Sequence, residues 1–170
     1  DSLLYSNLFS SALNELLETA EAGKLLEMAG EQFQDGHDVH AANLHRIRGD
    51  WHARRGDAAA ALAAYQLATQ KRALGLNVAQ QNARRGAYSR SAEAYLREGD
   101  LPLAAEQLSQ WQQDFPQDKL EGYLSTLLAR YWMARSRPAV ALAVAGDLLT
   151  LAPQSPYADR LVLLRAEAEE

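Results

Sequence analysis

Four histidines lie close together in the sequence, and their residue type and spacing are the features that could bind a metal: His37, His40, His45 and His52. None of them forms the His-Glu-x-x-His pattern of a helical zinc site. The spacing of His45 and His52 places both on one face of a helix, where we expect them to pack or to hydrogen-bond at a helix interface. The sequence therefore predicts no metal site.

Other signatures of catalysis are absent from the sequence. The chain has no cysteine, which excludes disulfides, thiolate metal sites and a cysteine nucleophile. It contains no Gly-x-Ser-x-Gly motif and no phosphate-binding Gly-rich loop, and its Gly-Asp pairs at Gly56 and Gly99 are typical of turns. Glu167, Glu169 and Glu170 cluster only at a chain end. We predict neither a catalytic residue nor a cofactor, and hence a protein that is not an enzyme.

The charge of the chain is unevenly distributed. Its 170 residues carry a net charge of −5, which argues against binding nucleic acid through broad phosphate neutralisation. Residues 46–97, however, hold ten Lys and Arg residues against three acids, whereas the flanking segments are acidic. This basic middle could attract an acidic partner, and such binding would weaken as salt rises. The alternative is that its charges lie on solvated helix faces and pair with neighbouring helices.

The ends and the hydropathy of the chain bear on its location. No apolar run approaches the roughly 18–20 residues that a membrane span needs, so we predict a soluble chain without one. The sequence begins at Asp1 without Met or a basic leader, as expected of a fragment or a processed product. Cytoplasm and periplasm both remain open.

Three segments share a helix-turn-helix pattern, in which a turn lies five residues before a small alanine: Ala61, Ala104 or Ala141. Apolar or small residues then follow at the spacing of one helix face. These faces are Ala61, Leu62, Tyr65 and Ala68; Ala104, Leu108 and Trp111; and Ala141, Ala145 and Leu148. The helices before the turns show matching faces at Leu44, Ile47 and Trp51; Tyr88, Ala92 and Tyr95; and Leu128, Ala129 and Trp132.

This pattern resembles the tetratricopeptide repeat, which has a bulky-x-x-Leu-Gly-x-x-Tyr first helix and an Ala-x-x-x-Phe second helix that ends in Pro. Pro116 and Pro153 each fall twelve residues after a key alanine, where the family ends its second helix. The first copy lacks that Pro and carries His45, Arg48 and His52 at positions where the family prefers bulky apolar residues. The resemblance implies an all-α fold, a right-handed superhelical stack of about nine helices arranged as antiparallel hairpins.

The repeats divide the chain into segments of a single predicted domain, 1–170. Residues 1–37 would form a divergent helix pair, with apolar faces at Leu8, Leu13, Leu16 and Leu17 and at Leu25, Leu26, Ala29 and Phe33. Residues 41–75, 78–116 and 118–153 would be the repeats. Residues 155–170, opened by Ser155 and Pro156, would form a capping helix that packs through Leu161, Leu164 and Ala168.

The family resemblance implies a scaffold that binds a protein, as an extended peptide or a helix, in a concave groove lined by the first helices. The residues that would line it are Asn43, Arg46, Asp50, Arg54, Ser89, Arg90, Glu93, Arg97, Tyr123, Thr126, Arg130 and Met133. The carboxylate clamp of co-chaperone members is disfavoured, because Asp50 stands where that clamp has Asn and the first helices carry no lysine. Self-association of the chain stays open.

Two other functions remain as alternatives. The long Arg-Arg-Gly-Asp type of repeat is similar to helical segments of large bacterial transcription regulators, which would make the chain a ligand-sensing regulatory segment. The junction that runs from Pro153 to Ala158 is similar to repeat junctions of cell-envelope assembly factors.

Overall fold

A computed structural model describes residues 21–32, 38–72 and 75–169, which fall into two compact units, Asp1–Leu74 and Gly75–Glu170. The described part of the first unit consists of α1 (Ala22–Gln32), α2 (Asp38–Arg54) and α3 (Ala58–Arg72). The second unit consists of α4 (Val78–Glu98), α5 (Leu101–Asp114), a short 3-10 helix (Pro116–Leu120), α6 (Tyr123–Ala134), α7 (Pro138–Leu151) and α8 (Ala158–Glu169).

These described ranges confirm the predicted all-α class, since they contain no strand. Their eight α-helices are one fewer than the nine predicted. The predicted helix with Leu8, Leu13, Leu16 and Leu17 lies outside the described residues, as do Phe33 and His37. In the part of the chain that is described, no helix is both long enough and apolar enough to cross a membrane. The superhelical stack stays a prediction.

The three predicted turns between paired helices are confirmed, and each uses a residue with positive φ. Gly56 and Gly99 both have φ of 79°, and the side chains of the following Asp57 and Asp100 accept backbone N–H groups of α3 and α5 at 3.0 and 3.2 Å. These aspartates satisfy N–H groups that a helix start leaves without a partner. In the third turn the left-handed conformation falls on Ser136, with φ of 55°, just before Pro138 opens α7.

The small residues of the repeats allow the paired helices to approach closely. Ala61, Ala104 and Ala141 are all buried, as predicted. In the first unit a Cβ atom added to Gly49 of α2 would collide with the ring of Tyr65 on α3. The prediction for Leu62 is wrong, because this side chain is 40% exposed, whereas Ala61, Tyr65 and Ala68 of the same predicted face are buried.

The second unit places the first helices of successive hairpins beside one another. α4 packs on α5 and α6 packs on α7, while α8 packs on α7. α6 also contacts both α4 and α8, so these three helices are neighbours on one side of the unit. Ala129, Ala141, Ala145, Leu148 and Leu161 form a core that joins α6, α7 and α8.

Two buried carboxylates secure the connection between α5 and α6. Asp118 accepts hydrogen bonds from the indole Nε1 of Trp111 at 2.7 Å and from the Arg85 guanidinium at 2.8 Å. Asp114 accepts the hydroxyl of Tyr88 at 2.6 Å and pairs with Arg84 at 2.9 Å. Burial raises the pKa of Asp118 even though the Trp111 N–H and the Arg85 charge favour its ionised form. Both carboxylates thereby tie the end of α5 to α4.

Replacing Asp118 with Asn should destabilise the second unit. The amide keeps the shape of the carboxylate but replaces one of its two acceptor oxygens with an N–H donor, which would face a donor group of Arg85 or Trp111. We therefore expect a loss of about 2 kcal/mol in the free energy of unfolding. Urea unfolding followed by circular dichroism measures the loss. Glu106→Gln on the exposed face of α5 is the matched control and should change stability by less than about 0.5 kcal/mol. Equal effects of the two substitutions would contradict the role given to Asp118.

Replacing Ser136 with Gly should stabilise the chain. A non-glycine residue in the left-handed region costs about 1 kcal/mol or more, whereas glycine adopts it freely, so we expect a gain of about 0.5–1 kcal/mol after the entropic cost of glycine. The reverse change at the equivalent turn, Gly99→Ser, should destabilise the chain by a similar amount, because an added Cβ meets nothing there and only φ is strained. Thermal unfolding of both variants tests the pair. Shifts of the same sign would refute the explanation.

Candidate protein-binding groove

A groove of about 510 Å³ lies in the second unit, along the side on which α4, α6 and α8 are neighbours. α4 contributes one lining residue, α6 contributes six and α8 contributes four. They are Leu96; Tyr123, Thr126, Leu127, Arg130, Met133 and Ala134; and Arg160, Leu163, Leu164 and Glu167. The groove therefore combines an aliphatic floor with charged residues on two helices.

The start of α6 is fixed by close packing at Gly122. This residue has φ of 112°, and a Cβ added to it would lie 2.6 Å from Ser155 Oγ and 2.8 Å from Leu148 Cδ2. Only glycine suits such a position, in both conformation and space. The hydroxyl of Thr126 donates to the Gly122 carbonyl at 2.9 Å, one turn into the helix. From this start, the helical period places Tyr123, Thr126, Arg130 and Met133 on a single face of α6.

α8 forms the second wall of the groove, a role that the sequence analysis missed. Leu161 is buried, as predicted. Leu163 lines the groove, although its side chain is 64% exposed. Arg160, Leu163 and Glu167 stand at i, i+3 and i+7, the spacing of one helix face. That spacing is visible in the sequence, but the capping helix is predicted there from the adjacent apolar face of Leu161, Leu164 and Ala168.

Tyr123 is held in a fixed and uncharged state at one end of the groove. Its hydroxyl donates a hydrogen bond to the carboxylate of Glu93 on α4, and its ring lies 5.4 Å from that of Tyr157 and 6.2 Å from that of Trp111. Burial, followed by the hydrogen bond and the negative charge of Glu93, raises the pKa of Tyr123 to about 12. The phenol is therefore neutral at physiological pH and is unsuited to act as a base or a nucleophile.

The groove also presents two arginines. Arg130 on α6 and Arg160 on α8 are exposed, and within the described ranges neither forms an ion pair with a carboxylate. Glu167, also exposed, is the single acidic residue among the described lining residues. The lining thus has a small excess of positive charge.

The predicted groove residues divide into three groups according to their helix. The four on α6, which are Tyr123, Thr126, Arg130 and Met133, all line the groove. Of those on α4, Glu93 reaches the groove region through its bond to Tyr123, and Arg90 and Arg97 are exposed. Ser89 is half-buried, and its hydroxyl donates to the Gly86 carbonyl of its own helix.

The four predicted residues on α2 belong to the first unit, where two of them are engaged in packing. Arg46 donates to Asp50 at 3.1 Å, and Asp50 accepts the hydroxyl of Tyr65 from α3 at 2.6 Å. The first contact lies within α2, and the second joins α2 to α3. Asn43 is half-buried, and Arg54 is exposed at the end of α2.

The predicted role of His45 and His52 is to pack or to hydrogen-bond at a helix interface, and both are half-buried on α2. The ring of His52 meets that of Trp51 edge to face, with the ring centroids 4.9 Å apart. Among the residues that the structure describes, no group of three or more His, Cys, Asp or Glu side chains could hold a metal ion.

Glu93→Gln should lower the pKa of Tyr123 from about 12 toward the ordinary value of 10.0, because it removes the negative charge while burial, the largest cause, remains. Since the folded-state pKa lies above that of the unfolded chain, the stability contributed by Tyr123 is complete below about pH 10 and is lost as pH rises to about 12. NMR of ¹³Cζ-labelled tyrosine, assigned with Tyr123→Phe, measures the pKa. Glu98→Gln, on the same helix, should leave it unchanged. An unchanged pKa in Glu93→Gln would disprove the contact.

The chain was compared with protein-family models, with curated proteins and with solved structures, and none of the three comparisons finds a match. The sequence resemblance to tetratricopeptide repeats and the geometry of the groove are therefore the observations from which a function is proposed.

Proposed function

We propose that this chain is a helical-repeat module of tetratricopeptide type that holds a segment of another protein in the groove formed by α4, α6 and α8, without catalysing a reaction. The observation that carries the proposal is the position of this groove. Its walls are the first helices of two successive hairpins and the following helix α8, which is the side on which repeat proteins of this kind form their concave surface.

The shape of the groove favours a protein segment as its occupant. The alternative occupant, which a ligand-sensing role would imply, is a small molecule. Its volume of about 510 Å³ is in the range of small-molecule sites, which measure about 300–1,000 Å³. Such sites, however, enclose about 70–90% of the ligand surface. Here Leu163 is 64% exposed although it lines the groove, so one wall stands open to solvent. An open groove suits a chain that continues beyond it.

The chemistry of the lining supports a binding role. Six of its described residues are aliphatic or thioether side chains, namely Leu96, Leu127, Met133, Ala134, Leu163 and Leu164. Its phenol, Tyr123, has a pKa raised to about 12 and is bonded to Glu93. Apolar anchors with a charged rim are the usual composition of a protein interface.

Site-specific photo-crosslinking in an extract of the source organism tests the proposal. A benzophenone amino acid at position 163 would lie in the groove, whereas the same group at position 162 would lie on the neighbouring face of α8. The native residues are comparably exposed, at 64% for Leu163 and 54% for Val162, so the pair controls for general accessibility. We expect a discrete crosslinked protein from position 163 and none of that size from position 162.

A groove-filling variant completes the experiment. Ala134→Trp places a bulky ring at one end of the groove and should abolish the crosslink, while Ala139→Trp on the exposed start of α7 should leave it intact. Equal crosslinking from positions 162 and 163, or a crosslink that survives Ala134→Trp, would count against the groove as the binding site.

A further inference from the structure

The length of the groove limits what it can hold. Along α6 its lining extends from Tyr123 to Ala134. At 1.5 Å per residue this is about 16 Å, the length of about five extended residues or three turns of helix. An extended occupant and a helical occupant would both be short segments. The polar groups of the lining distinguish between these two conformations.

The lining has little to offer the backbone of an extended peptide. The hydroxyl of Thr126 already donates to Gly122 O and that of Tyr123 to Glu93. Among the described lining residues there is no Asn or Gln, the side chains that donate to and accept from a peptide backbone at once. The backbone of α6 is hydrogen-bonded within its own helix. For an extended segment the described lining offers only Arg130 and Arg160 as free donors and Glu167 as a free acceptor, fewer than the N–H and C=O groups of about five residues. Those backbone groups that press against the apolar floor would lose water without gaining a partner, which is costly.

A helical segment avoids that cost because its backbone hydrogen bonds are internal. It would contact the floor through side chains at i, i+3, i+4 and i+7, the spacing that places apolar residues on one face. Leu163 on α8 and Met133 on α6 face such a stripe from two sides of the groove. Met133 is half-buried and flexible, which suits it to adapt to the shape of an aliphatic side chain.

The charges of the groove indicate what flanks the apolar stripe. Arg130 and Arg160 project from two different walls, and neither has a carboxylate partner within the described ranges. Two cations that have no carboxylate partner among the described residues, beside an apolar floor, complement acidic residues on either side of the stripe, and they disfavour a basic helix through like-charge repulsion.

Building on the proposed function, we infer that the segment held in this groove is a short amphipathic α-helix of the partner, with an aliphatic stripe that packs on Leu163 and Met133 and acidic residues that pair with Arg130 and Arg160. The groove thus selects its partner by both helix formation and charge sign.

Three synthetic peptides of about 14 residues probe this inference, a length that makes helix formation in free solution marginal. The first carries a leucine stripe at i, i+3, i+4 and i+7 flanked by glutamates. The second replaces the glutamates with lysines. The third keeps the glutamates but has proline at two central polar positions, which prevents a helix while preserving the leucines.

The chain supplies its own reporter, because it contains two methionines. Met133 lines the groove, whereas Met28 is 56% exposed on α1 in the first unit and serves as an internal reference. NMR of ¹³C-methyl methionine, assigned with Met28→Leu, follows each titration. We expect the acidic peptide to shift Met133 and not Met28, and to bind at least about tenfold more tightly than the lysine and proline peptides.

Charge reversal is the second part of the test. Arg130→Glu with Arg160→Glu should reverse the preference, so that the lysine peptide binds more tightly than the acidic one. Arg135→Glu with Arg137→Glu, two exposed arginines outside the groove lining, makes the same change in net charge and should leave the preference unchanged. Both double variants alter exposed side chains, and helical circular dichroism verifies their fold.

Each contrary result has a distinct meaning. If the proline peptide shifts Met133 as tightly as the acidic one, the groove binds extended segments, and the inference fails while the proposed function stands. If acidic and lysine peptides bind equally, the charge selection fails and again the function stands. If no peptide shifts Met133, both the inference and the proposed function are overturned. A titration with decanoate, a small apolar carboxylate, then tests the alternative of a small ligand, which a shift of Met133 would favour.

Discussion

The pairing of the buried carboxylate of Asp118 is the interaction on which the second unit depends. A charge removed from water must be hydrogen-bonded and paired, and Asp118 meets this demand with Trp111 from α5 and Arg85 from α4. These bonds fix the 3-10 helix that follows α5, and α6 begins three residues after that helix ends. Together with the close packing at Gly122, these bonds hold the segment from which α6 starts, and the start of α6 determines which of its faces lines the groove.

A hydrogen bond from a tyrosine to an aspartate joins the paired helices in each of two hairpins. In the first unit the Tyr65 hydroxyl of α3 donates to Asp50 of α2, and in the second unit the Tyr88 hydroxyl of α4 donates to Asp114 of α5, each at 2.6 Å. An arginine accompanies each pair. Several cations of the basic middle segment, Arg46, Arg84 and Arg85, are therefore bonded to carboxylates within their own units. The pairing of charges between helices, which belongs to one of the two interpretations of that segment, accounts for Arg84 and Arg85, whereas Arg46 pairs within α2.

The arginines that bear on the proposed function come from elsewhere in the sequence. Arg130 and Arg160 belong to the acidic C-terminal segment, where the net charge gave no reason to look for a positive surface. They matter because α6 and α8 bring them to one groove beside leucines and a methionine. The net charge of this segment differs from the charge of the groove, because many acidic residues of the segment lie on other helix faces. Asp114 and Asp118, for example, are buried and paired with arginines. α8, expected to be only a cap, is accordingly a wall of the site.

The sequence by itself determined the helices, their turns and the alanines at which they cross, because helical period and the turn chemistry of Gly and Asp are local properties of the chain. It also singled out the face of α6 that carries Tyr123, Thr126, Arg130 and Met133. It did not determine that Leu62 is exposed, that Arg46 and Asp50 serve the packing of α2 on α3, or that Arg160 and Leu163 join the groove. Periodicity identifies the apolar face of a helix but not the neighbouring helix that covers this face. It also does not show which residue of another helix will hydrogen-bond to a polar side chain. Only the tertiary structure decides those contacts, because they join residues far apart in the sequence whose distances are set by the packing of the whole unit.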